Sequence, residues 1–179
     1  MKGKKVALLG LLTALSVISF LIENLFPPIL IPGAKLGLGN IFVMLCLIYL
    51  GLPSGIILVV SKCLISAIFG GFSALLYSLP AGLFSLFLGY ILLKFSKKIS
   101  IVAISAVLGT AHNLVQNVVF CLVVNSVKVL LYAPYLAFLG VICGVFTGLV
   151  TYLLLNKFST LIINKFEINY CEGDKSGYF

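Results

Sequence analysis

The sequence predicts an all-α polytopic membrane protein, a bundle of six transmembrane helices, and three observations carry that prediction. Hydrophobic residues fill 62% of the 179 positions and charged residues only 9%, against about 25% charged in an ordinary soluble domain. Twelve lysines and four acidic residues cannot form a water-facing shell for a chain of this length, so most of its surface must meet lipid. The apolar residues also gather into six runs that reach or approach the roughly 20 residues a spanning helix needs.

The first run, 6–26, follows Lys2, Lys4 and Lys5 and has the outline of a signal peptide. Five more apolar segments come after it, so it reads as a retained helix. The second run, 36–50, is short, and the third, 53–69, breaks against Gly70 and Gly71. The remaining spans are expected over 74–93, 99–124 and 132–155. Together they make residues 1–157 one six-helix domain in the membrane, with 158–179 a short polar cytoplasmic tail.

The basic residues are all lysines, opposed only by Glu23, Glu167, Glu172 and Asp174, for a formal charge of +8. With six spans, Lys2 to Lys5, the Lys94, Lys97 and Lys98 group, and Lys157 with Lys165 fall on one side. The opposite side keeps Lys35 and Lys128. The positive-inside rule makes the richer side cytoplasmic, placing both termini in the cytoplasm and the chain in the plasma membrane. It also explains the basic excess without a nucleic-acid partner. Cys46, Cys63, Cys121, Cys143 and Cys171 are odd in number and widely spaced, which reads as small apolar packing residues and not as a zinc or disulfide framework.

In lipid the informative side chains are the polar ones at depth. A charge near the middle of a span costs roughly 2.5 to 3.5 kcal/mol on insertion scales and should face a cavity or a partner. Lys62, well inside the third run, fits three roles: a pair with Glu23 or backbone carbonyls, a cationic contact to an anionic substrate, or a side chain snorkelling to the interface. The fifth run carries His112, Asn113, Gln116 and Asn117. Spacings of four put His112 beside Gln116 and Asn113 beside Asn117. Either interhelical hydrogen bonds or a wet solute-binding cavity would satisfy them. No second histidine or carboxylate stands at ligand spacing from His112, so no metal site is expected.

The glycine-rich stretch 32–40, containing Lys35 and Asn40, leads into the second helix. It reads as a turn, or as a helix start whose free N–H groups hold a phosphate or carboxylate. Glu23 and Asn24, at the outer end of the first helix, lie across from it in the expected fold. Small residues recur at spacings of four in Gly140, Gly144 and Gly148, more weakly in Gly10 and Ala14, and permit close helix approach. Gly55, Lys62 and Ser66 share one side of the third helix.

No P-loop occurs, and the only aspartate is Asp174 in the tail, so neither ATP hydrolysis nor magnesium-held diphosphate chemistry by this chain is expected. The protein is therefore expected not to be an enzyme, with no catalytic residues and no cofactor.

At residues 32–40, read with Gly109 to Gln116, the sequence resembles the Gx transporter family, also called heptaprenyl diphosphate synthase component I. The similarity covers roughly 5–157. Families of this kind are similar to the substrate-binding S components of energy-coupling factor (ECF) transporters, small six-helix membrane proteins that bind vitamins or their precursors. The resemblance implies three partners, a transmembrane coupling subunit and two cytoplasmic ATPases. It also makes Gly10 and Ala14 the face that meets the coupling subunit, although the family usually has alanine where Gly10 stands.

The substrate-binding residues expected are thus Glu23, Asn24, Lys35, Asn40, Lys62, His112, Asn113, Gln116 and Asn117. Lys35, Lys62 and His112 against a single intramembrane acid suggest a neutral or anionic solute, with a flavin, a quinone precursor and a prenyl phosphate all compatible. Two other functions compete. One is a membrane subunit in heptaprenyl diphosphate synthesis, with His112 as acid or base; the other is a stand-alone secondary transporter, disfavoured by the lack of an evident inverted repeat.

Overall fold

A computed structural model describes residues 2–25, 37–95 and 99–166. Six α-helices account for nearly all of it, with no strand among the described residues: α1 (Lys2–Leu25), α2 (Gly39–Leu50), α3 (Leu52–Gly70), α4 (Phe72–Phe95), α5 (Ile101–Val124) and α6 (Ala133–Phe166). Local chemistry sets the breaks. Gly51 and Gly71 take positive φ of 80° and 82° between α2, α3 and α4, where a side chain would be strained. Pro53 occupies the first turn of α3, where no backbone N–H is needed. Ser100 caps α5 by accepting the Ala103 N–H at 3.2 Å. Asn125 closes α5 in the left-handed region, and a 3₁₀ helix over Val127–Tyr132 leads into α6.

Five of these helices are long and apolar enough to cross a membrane, which makes this a multi-pass membrane protein. The sixth, α2, has 12 residues and spans about 18 Å, well short of a hydrocarbon core of about 30 Å. It is nonetheless the centre of the bundle. α1, α3, α4 and α6 all pack on it, and Ile41, Val43 to Leu47 and Tyr49 are buried. Consecutive helices from α3 to α6 pair with their neighbours. The outward faces carry Ile68, Phe87, Leu122, Phe138 and Leu153 exposed, as a lipid-facing surface requires.

The sequence expectation ended the last span at 155, but α6 continues as helix to Phe166. Helix continuity needs no apolar run once a chain leaves the lipid, so composition located the end of the span and not the end of the helix.

Because α2 is short, its position decides the geometry of the interior. Ser16, past the middle of α1, donates its hydroxyl to the Gly39 carbonyl at 2.9 Å. Lys62, halfway along α3, stands so close that a methyl group on Gly39 would lie 2.9 Å from its Nζ and 3.1 Å from the Ser16 carbonyl oxygen. The N-terminus of α2 therefore begins at the mid-depth of the bundle. A helix end is tolerated there only inside protein, where its freed backbone groups find partners. Gly37, at φ 75°, turns the chain into it.

A second close contact joins α5 to α6. A methyl group on Gly140 would lie 2.6 Å from Thr110 Cα, and one on Gly144 2.5 Å from the Ser105 carbonyl oxygen. The backbones touch, as small residues spaced by four permit.

Candidate functional site

Around the start of α2 the bundle encloses a partly open cavity of about 90 Å³. That volume suits several ordered waters or a compact polar head group, below the 300–1,000 Å³ or so of drug-sized ligand pockets. All six helices line it. Phe20 and Glu23 come from α1, Asn40 from α2, Lys62 and Ser66 from α3, Ser78 and Ser85 from α4, His112, Asn113 and Gln116 from α5, and Cys143 and Thr147 from α6. Lys62, His112 and Asn113 fall near the middle of their helices, Asn40 at the start of the half-length one, and Glu23 in the last turn of α1.

Hydrogen bonds fix the charged wall. The Glu23 carboxylate accepts the Leu38 N–H at 2.9 Å, placing a negative group at the positive end of α2. The Asn40 amide oxygen accepts a hydrogen bond from Lys62 Nζ at 3.2 Å. Glu23 and Lys62, weighed as a pair from the sequence, each make a separate hydrogen bond beside the start of α2. Lys62 is partly accessible and lines the cavity, so it does not snorkel to the interface. One turn along α3, Ser66 is 5% exposed, and its hydroxyl has no hydrogen-bond partner among the described residues.

The α5 wall divides what the sequence grouped. His112, Asn113 and Gln116 line the cavity, whereas Asn117 does not. Asn113 donates its amide to the Leu136 carbonyl of α6 at 3.3 Å. Asn117 is buried, and its amide nitrogen lacks a hydrogen-bond partner among the described residues. A spacing of four gives neighbours along one helix, but Asn117, one turn further along α5 than Asn113, does not reach the opening.

Of the other expected site residues, Asn40, Glu23 and Lys62 converge as described. Lys35 lies outside the described residues, and Asn24 belongs to α1 but its side chain is not among those described. Gly10 and Ala14 do not line the cavity; they lie on an exposed face of α1 that also shows Leu11 and Ile18.

Sequence reasoning missed Ser78, Ser85, Ser105, Thr147 and Thr151 as cavity lining. Four of the helix hydroxyls satisfy themselves on the backbone: Ser85 on Gly82, Thr110 on Ala106, Thr147 on Gly144 and Thr151 on Thr147. Self-satisfied hydroxyls create no demand for a polar neighbour, so they leave no signal in the sequence. Ser66 was missed as well, although its place one turn beyond Lys62 on the same side of α3 was a signal that could have found it. Among the described residues no three of His, Cys, Asp and Glu converge to hold a metal ion.

A sequence model of the family described as heptaprenyl diphosphate synthase component I matches residues 12–154. No curated protein and no solved structure matches the chain. The match runs from α1 into α6 and so covers every helix that lines the cavity; the chain belongs to the heptaprenyl diphosphate synthase component I family.

Proposed function

We propose that this protein is the membrane-embedded, solute-binding (S) component of an ECF-type importer, and not itself an enzyme. The observation that carries the reading is the mid-depth cavity to which all six helices contribute polar lining. Polar and charged groups at that depth are costly unless they serve a partner or a wet site, and here they converge on one opening. A short central helix whose N-terminus stops inside the bundle is a recurrent way for membrane proteins to present backbone and side-chain groups to a solute. On this reading Glu23, Asn40, Lys62, His112, Asn113 and Gln116 contact the solute. A transmembrane coupling subunit docks on the exposed Gly10 and Ala14 face, and two cytoplasmic ATPases supply energy. Both termini lie in the cytoplasm and the membrane is the plasma membrane, on the lysine asymmetry.

The test is direct. Gently purified protein should release a bound small molecule detectable by mass spectrometry, and the cell membrane should yield it in complex with a coupling subunit and two ATPases. A chain that retains no solute and binds none of these partners would sink the proposal.

The family's description favours a second reading, a membrane subunit that partners a heptaprenyl diphosphate synthase. It predicts that the chain is captured by a soluble prenyl-chain-elongating subunit and alters its product length or membrane attachment. Co-purification separates the two.

A further inference from the structure

The charges on the cavity wall restrict the solute beyond the reading just given, on which this inference rests. Glu23 and Lys62 carry opposite charges, line the same cavity, and are both held beside the first turn of α2. Each is anchored by a neutral group instead of by the other: Glu23 by the Leu38 N–H, Lys62 by the Asn40 amide oxygen. Only one of the three Lys62 N–H donors is used within the described residues. A purely structural charge pair at this depth gains most by direct contact, since separated charges are costly in a low dielectric. Here the hydrogen bonds that hold the two run to neutral groups and not from one to the other.

The consequence for a ligand is one of charge balance. A simple anion on Lys62 brings a second negative charge beside Glu23, and a simple cation on Glu23 brings a second positive charge beside Lys62. Only a solute carrying both signs is attracted by both groups. Ser66 adds an independent sign of a ligand, because its buried hydroxyl, one turn from Lys62 on the cavity wall, has no hydrogen-bond partner among the described residues. A polar atom so placed is ordinarily satisfied.

We infer that the cavity receives a compact zwitterionic head group, an amine and a carboxylate on one small solute, with the carboxylate on Lys62 and Ser66 and the ammonium on Glu23. The cavity of about 90 Å³ accommodates a group of that size.

The experiment uses the full chain purified in detergent without added lipid, with glycine, L-alanine and 4-aminobutyrate as zwitterionic probes. Propionate and propylamine serve as probes of one charge each. At least one amino acid should raise the Tm and bind measurably by calorimetry, and neither single-charge probe should match it. Glu23→Gln keeps an oxygen to accept the Leu38 N–H, so it folds, yet it should weaken the amino acid roughly tenfold or more, as should Lys62→Met. Propionate binding as well as the amino acids, or an unchanged affinity in Glu23→Gln, overturns the inference. So does release from the purified protein of a solute without an amine, which leaves solute binding itself intact. A protein that releases nothing and responds to no probe overturns both.

Discussion

Gly140, Gly144 and Gly148 on α6 and Gly10 with Ala14 on α1 share the same spacing of small residues, and the fold treats them oppositely. The α6 glycines are spent inside the molecule, where the backbone of α5 occupies the space their side chains would need. Gly10 has nothing within 4 Å of where a side chain would start, and Ala14 is exposed. The contrast teaches that a small-residue pattern states only that a helix can be approached closely. Whether the approaching helix belongs to the same chain is a property of the bundle.

The largest expected effect sharpens that contrast at its buried end. Gly144→Ala places a methyl group 2.5 Å from the Ser105 carbonyl oxygen and 2.6 Å from Ala106 Cα, backbone atoms that cannot swing aside. Stability should fall by about 1 to 3 kcal/mol, while Gly10→Ala changes it by less than about 0.5 kcal/mol. Thermal unfolding of both variants in the same detergent checks the pair, and equal losses would break the comparison.

Next in size is the exposed end. On the proposed function, Ala14→Leu should leave folding and solute affinity nearly unchanged and weaken capture of a coupling subunit about tenfold, or about 1.4 kcal/mol. Pull-down and ligand affinity are measured on one preparation. Loss of affinity with an intact complex would mean that this face packs on its own bundle.

Two substitutions on α5 then compare a side chain that joins the seam with one that does not. Asn113→Leu removes the hydrogen bond to the Leu136 carbonyl and should cost about 0.6 kcal/mol, the average for such bonds within membranes. On the proposed function it also abolishes solute binding. Asn117→Leu removes an amide nitrogen with no hydrogen-bond partner among the described residues and should be neutral or slightly stabilising. If Asn117→Leu proves the more damaging, Asn117 makes a contact stronger than that of Asn113 and the division of the α5 face is wrong.

Much of the architecture was legible one helix at a time. Apolar runs located α1, α3, α4 and α5 to within a few residues, because in lipid every backbone group must be bonded within its own helix. Gly51, Gly71 and Asn125 stop helices through their own φ preferences, which need no neighbour. Polar residues at depth announced that Lys62, His112, Asn113 and Gln116 face the interior of the bundle, since lipid makes any other placement expensive.

What the sequence alone determined, then, is the set of helices and which side chains had to avoid lipid. Only the tertiary structure decided that α2 stops halfway and forms the centre, that Glu23 and Lys62 each hydrogen-bond beside its start, that Asn117 does not line the cavity, and which glycine face finds its partner within the chain. The reason is physical. Helix formation in a membrane is enforced locally by backbone hydrogen bonding, whereas lipid is as apolar as leucine and gives no hydrophobic preference among helix faces. Which faces meet is settled by backbone approach at the glycines and by a few interior hydrogen bonds, such as Ser16 to Gly39 and Glu23 to Leu38, between residues far apart in the chain.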